Sequence, residues 1–146
     1  MVFEKESAPK NCKDFMDWYG KQTEWSESHN YDDPKVSSSK LHDWFIEMIK
    51  AFPAMNGPFA SDDYDNDNVS DYSIGKDVIY VAFAWSVAEQ AYKTMIDLAE
   101  KVGVGFFDVS SDNGGIYFPV DGKLVPIDNP SNSNKSIKTK PWWKIW

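Results

Sequence analysis

Residues 77–109 read DVIYVAFAWSVAEQAYKTMIDLAEKVGVGFFDV. The stretch opens on VIYVAFA, an almost unbroken apolar run of strand length, as expected of a strand buried on both faces. It closes on VGFFDV, a second such run. Between them, Ala88, Ala91, Tyr92, Met95, Ala99 and Val102 recur at helical spacing, and three alanines on that stripe suit close packing on a sheet. Ser86 and Glu89 have the spacing of a capping box, and Gly103 supplies a left-handed stop. The reading is strand, helix, strand. A crossover through one helix makes the two strands parallel where they share a sheet.

Working outward, IYFPV (116–120) reads as a third strand, joined to the second by SSDNGG, with Asp112 and Asn113 as turn formers. On the other side, a short segment near Tyr72 pairs with VIYVAFA through a turn at Gly75-Lys76. An early VFEK segment (2–5) adds an edge strand. Two more helices precede. In the first, Asn11 caps and Asp14 answers it, and Phe15, Trp18, Tyr19 and Gln22 follow helical spacing. In the second, Leu41, Trp44, Phe45, Met48, Ile49 and Phe52 form one continuous stripe, capped by Ser38 or Ser39 and stopped by Pro53. The expected class is α+β: a small mixed sheet with about three helices packed mainly on one face. Residues 1–127 form a single globular domain, and 128–146 a polar tail ending in Trp142, Trp143 and Trp146.

Composition narrows the function. The chain has 146 residues with a net charge of −8 and a pI near 4.6, and every basic residue is a lysine. Such a chain is repelled by a nucleic-acid backbone and lacks the arginine fork that reads guanine, so nucleic acid is not an expected partner. A basic protein is the natural complement. Cys12 is the single cysteine, which excludes an intrachain disulfide. The N-terminus has no signal-peptide core, and no run reaches the about 20 apolar residues of a membrane span. The expected location is cytoplasmic.

Catalytic patterns are missing. No G-x-S-x-G, P-loop or dinucleotide fingerprint occurs. His29 and His42 have no second ligand at zinc spacing. His29 stands near Glu27, Tyr31, Asp32 and Asp33, as any histidine in an acidic chain would. The loop SDDYDNDNVSD (61–71) alternates aspartates as a calcium loop does. The EF-hand positions for Gly and Glu, however, hold Asn68 and Ile74. Neither a metal, a cofactor nor a catalytic residue is expected. The loop reads instead as a solvated turn or as an anionic patch for a basic partner, with Asp62, Asp63, Asp65 and Asp67 as its charges. Tyr64 and Tyr72 are its anchors, since Tyr is favoured at interfaces. The rival reading is a small-ligand module or enzyme with its pocket at the strand ends near Trp85 and Asp108. The terminal tryptophans, interleaved with Lys138, Lys140 and Lys144, suit a clasp within or between chains, a partner hook, or a touch on a membrane surface.

Five phrases occur in order: FMDWYGKQTEW (15–25), YDDP (31–34), LHDWFIEMIKAFPAMNGP (41–58), DYSIGKDVIYVAFAWSVAEQAY (71–92) and LAEKVGVGFFDVS (98–110). Together they resemble a family of small acidic bacterial proteins. Some of its members look like immunity proteins of polymorphic and contact-dependent growth-inhibition toxin systems. The resemblance spans roughly residues 3–119. It implies a cytoplasmic, non-enzymatic protein that neutralises a toxin by tight binding, with no catalytic residue to carry over.

Overall fold

The structure, a computed structural model of the chain, describes residues 1–111 and 115–127. In chain order the elements are β1 (Val2–Phe3), α1 (Cys12–Gln22), α2 (Ser39–Ala51), β2 (Asp71–Ile74), β3 (Val78–Ala82), α3 (Ala88–Val102), β4 (Gly105–Asp108), β5 (Gly115–Val120) and β6 (Lys123–Pro126). Short 3₁₀ turns at Pro34–Val36 and Trp85–Val87 lead into α2 and α3. The six strands form one sheet in the order β2-β3-β1-β4-β5-β6. This is the expected α+β class.

Every strand pairing among the described residues is antiparallel, so the sheet they form is not mixed. The reason is the placement of β1. It is not an edge strand but the centre of the sheet, with Val2 opposite both Ile79 and Phe106. β3 and β4 therefore run in the same direction, as the helical crossover requires, yet never touch as neighbours. The N-terminal strand fills the gap and is antiparallel to both.

Two residues suffice for this role because their side chains serve opposite faces, as pleating dictates. Val2, Ile79 and Phe106 point into a core closed by α2 and α3, where Leu41, Trp44, Phe45, Met48, Ala91, Met95 and Ala99 are buried. The buried Trp44 indole N–H donates to the Met95 carbonyl at 3.4 Å, joining the two helices. Phe3, Val78, Phe107, Ile116 and Phe118 point to the other face, where Phe15 of α1 completes a second core. There the Phe3 ring meets Phe15 and Phe118 edge-on at 5.0 and 5.1 Å. Gly105, the partner of Phe3 across the ladder, leaves room for that ring. A Cβ on Gly105 would stand 2.2 Å from two of its atoms. Two helices thus cover one face and the third covers the other.

Helix ends follow the sequence signals in part. Asn11 Oδ1 accepts from the Asp14 N–H at 2.9 Å, and its Nδ2 donates back to the Asp14 carboxylate at 2.8 Å. Ser38 Oγ accepts from the Leu41 N–H at 3.4 Å and donates to Glu4 at 2.7 Å. Gly103 stops α3 at φ 86°, returning its N–H to the Ala99 carbonyl. The expected capping box on α3 does not form. No side chain among the described residues caps that helix, and Ser86 Oγ donates instead to Asp67 at 3.3 Å. The 3₁₀ turn at Trp85–Val87 continues directly into α3, so Ser86 lies one residue too early to cap it.

Candidate functional site

Two regions carry the chemistry that the sequence singled out. The first is the connection from Pro53 to Ser70. It is a built loop. The Ser70 N–H donates to the Pro53 carbonyl and Met55 N–H to the Ser70 carbonyl, at 2.8 and 2.9 Å. Asn68 Nδ2 reaches back to the Ala51 carbonyl at 3.0 Å. Its tip is a run of tight turns in which the Asp63 N–H donates to Ser61 Oγ and the Asn68 N–H to Asn66 Oδ1. Asp62, Asp63, Asp65 and Asp67 are all exposed there. Tyr64 stands among them 90 % exposed, and the same loop exposes Met55 (51 %) and Phe59 (43 %). The described residues contain no group of three or more metal-ligating side chains.

Tyr72 does not belong to this surface. It is 4 % exposed, packs edge-on against Phe45 at 5.0 Å, and donates its hydroxyl to the Phe52 carbonyl at 2.6 Å. Burial pushes its phenol well above the usual range. It is a core residue of β2 and no anchor for a partner. In sequence it looked like Tyr64; the strand that begins at Asp71 turns it inward.

The second region is a cavity of about 510 Å³ at the end of the sheet. Because β3 and β4 run in the same direction, their C-terminal ends lie at this same end of the sheet, and β1 begins between them. Phe83, Ala88, Met95, Phe106 and Phe107 are among the apolar side chains lining it, and Trp85, Tyr92 and Asp108 are among those with polar tips. Trp85 is 71 % exposed. Asp108 sits at the end of β4 with its carboxylate oriented by two donors. Oδ1 accepts the Ser110 N–H at 3.1 Å and Oδ2 accepts the Tyr92 hydroxyl at 3.3 Å. Burial, then the Asp108 charge, pushes the Tyr92 phenol up. The same two causes raise Tyr117. The α-amino group of Met1 is buried beside this end and donates to the Phe107 carbonyl at 3.1 Å. Desolvation lowers it to about 5, against the opposing pull of Asp108.

The structure brings Trp85 and Asp108 to one cavity, where the sequence had placed them at the strand ends. It also adds Tyr92 and Met1, which sequence reasoning missed. Tyr92 had been assigned only to the helix stripe. Met1 was invisible because nothing local says that the N-terminal strand is central. The loop and the cavity are neighbours, since Ser86, which Asp67 binds, follows Trp85.

His29 faces Glu27 at 3.2 Å and the Asn30 carbonyl at 2.8 Å, on the connection that braces the β2–β3 turn. His42 is half-exposed beside Asp43 on α2. Trp142, Trp143 and Trp146, the lysines among them, and the Asp112-Asn113 turn lie outside the described residues. No helix among the described residues is long and apolar enough to cross a membrane. The chain matches no protein-family model, no curated protein and no solved structure.

Proposed function

We propose that this is a non-enzymatic, cytoplasmic binding protein of the immunity type, which neutralises a basic toxin domain by tight, electrostatically steered association. The observation that carries the reading is the loop tip. Tyr64 is almost fully exposed, ringed by Asp62, Asp63, Asp65 and Asp67, with Met55 and Phe59 exposed on the same loop. Aromatic and methionine side chains are enriched at protein interfaces, and a charged surround speeds encounter with a partner of opposite sign. The net charge of −8 extends that field over the whole molecule. The loop is held by its own hydrogen bonds, so little ordering entropy is lost when a partner engages it.

The partner to test is the C-terminal domain of a secreted protein encoded immediately upstream. A chain with Asp62, Asp63, Asp65 and Asp67 all changed to Lys associates with it about tenfold or more slowly at low salt, and the difference shrinks as salt rises. Tyr64→Ala acts on dissociation instead, weakening binding by about 2 kcal/mol, the scale of an interface anchor. Unchanged rate and affinity in the four-lysine chain would refute the loop as the contact surface.

A further inference from the structure

The cavity at the ends of β3 and β4 is not used by the loop reading, and its chemistry is specific. Its volume of about 510 Å³ lies in the range of small-molecule sites. Its walls are apolar, with Phe83, Met95 and Phe106 among them. Among the described residues the lining contains one carboxylate, Asp108, and neither a lysine nor a histidine, and the α-amino group of Met1, also in the lining, is buried and donates to the Phe107 carbonyl. That carboxylate is already aimed. The Ser110 N–H and the Tyr92 hydroxyl take one site on each oxygen, and an ionised carboxylate has about four lone-pair sites in all. Asp67 adds negative potential beside Trp85 through its contact with Ser86.

We propose that this cavity binds a small organic amine, its apolar body held among Phe83, Met95 and Phe106 and its ammonium group paired with Asp108. The recognition is that of a charge-assisted hydrogen bond in a largely apolar surround, where such bonds gain strength. The site stands independently of the acidic loop as a partner surface.

Three probes with one phenyl-alkyl body and different heads decide it: phenethylamine, 2-phenylethanol and 3-phenylpropionate, titrated into the full-length protein by calorimetry and ligand-observed NMR. The amine binds about tenfold or more tightly than the alcohol, the contribution of one hydrogen bond to a charged group, and the acid binds least. Asp108→Asn brings the amine down to the level of the alcohol and leaves the alcohol unchanged. Ala88→Phe, which fills the cavity from α3, weakens both. Circular dichroism checks that each variant folds, and the three-probe series on the unaltered chain decides even where a variant does not. The proposal is overturned if the amine shows no binding up to about 10 mM, where even a weak fragment registers. It is equally overturned if amine and acid bind alike, or if a folded Asp108→Asn protein keeps the preference for the amine.

Discussion

Glu27 holds two elements together. Its Oε1 accepts the Lys76 N–H at 3.0 Å, bracing the β2–β3 turn, and faces His29 Nε2 at 3.2 Å. The His29 ring is raised above its usual range, first by the Asn30 carbonyl and further by Glu27, with partial burial opposing. A protonated ring donates to both partners, so folding favours the charged form. The stability contributed is fully present below the unfolded value of about 6.5, and it is lost as pH rises through the higher folded value. Melting temperatures of the wild type and His29→Gln should therefore converge as pH is raised from about 5.5 to about 8. A gap that stays constant across that window would mean the ring contributes nothing through its charge. Single residues were only partly legible in the sequence. Tyr64 and Tyr72 both lie in one acidic stretch, and composition treats them alike. What separates them is that Tyr72 lies in a strand whose alternate side chains face the helices, whereas Tyr64 lies in a turn. A register of period two decides burial, and four residues carry too short a pattern to display it.

At the scale of elements, hydrophobic period was the reliable signal. The three helices occur where apolar spacing put them, because each buries one face and must repeat with the helical period, and β3, β4 and β5 occur where short apolar runs put them. Caps were less reliable. The Ser86-x-x-Glu89 pattern matches a capping box, yet the side chain of Ser86 turns to Asp67. The two caps can be told apart by mutation. Asn11→Ala, which removes an acceptor from the start of α1, should cost about 1 kcal/mol in urea denaturation. Ser86→Ala should fall within about 0.5 kcal/mol of wild type, as surface changes away from caps do. A loss from Ser86→Ala equal to that of Asn11→Ala would restore the capping box. The strand β6 was overlooked, although its signal was present. Asp121-Gly122, at φ 50° and 77°, is a two-residue hairpin turn of the kind that Asp-Gly favours. No element was placed at KLVP (123–126), since four residues with one charge and one proline make a weak strand.

For the whole molecule, the decisive feature is that two residues at the N-terminus lie between strands that follow 75 and more positions later in the chain. Phe3 takes part in the aromatic cluster of one face, and Val2 is buried in the core of the other. Phe3→Ala should therefore cost about 3–5 kcal/mol, the range for emptying a buried aromatic site. That is a large share of the about 5–15 kcal/mol that holds a domain folded. Urea titration followed by tryptophan fluorescence measures it. A loss under about 1 kcal/mol, as expected of a frayed edge, would contradict the central placement of β1. The placement also creates the cavity, because inserting β1 keeps the ends of β3 and β4 apart while leaving them at the same end of the sheet. The sequence by itself determined the α+β class, the helix stripes, the direction of β3 relative to β4, and the acidic loop. These follow from local periodicity and charge, which are written residue by residue. Only the tertiary structure decided that β1 is central, that the sheet is antiparallel throughout, that Tyr72 is core, and that Tyr92 and Asp108 share a cavity. Those outcomes depend on which distant strands pair. Pairing is selected by the fit of whole faces, Phe3 against Gly105 among them, and no local window of sequence contains that fit.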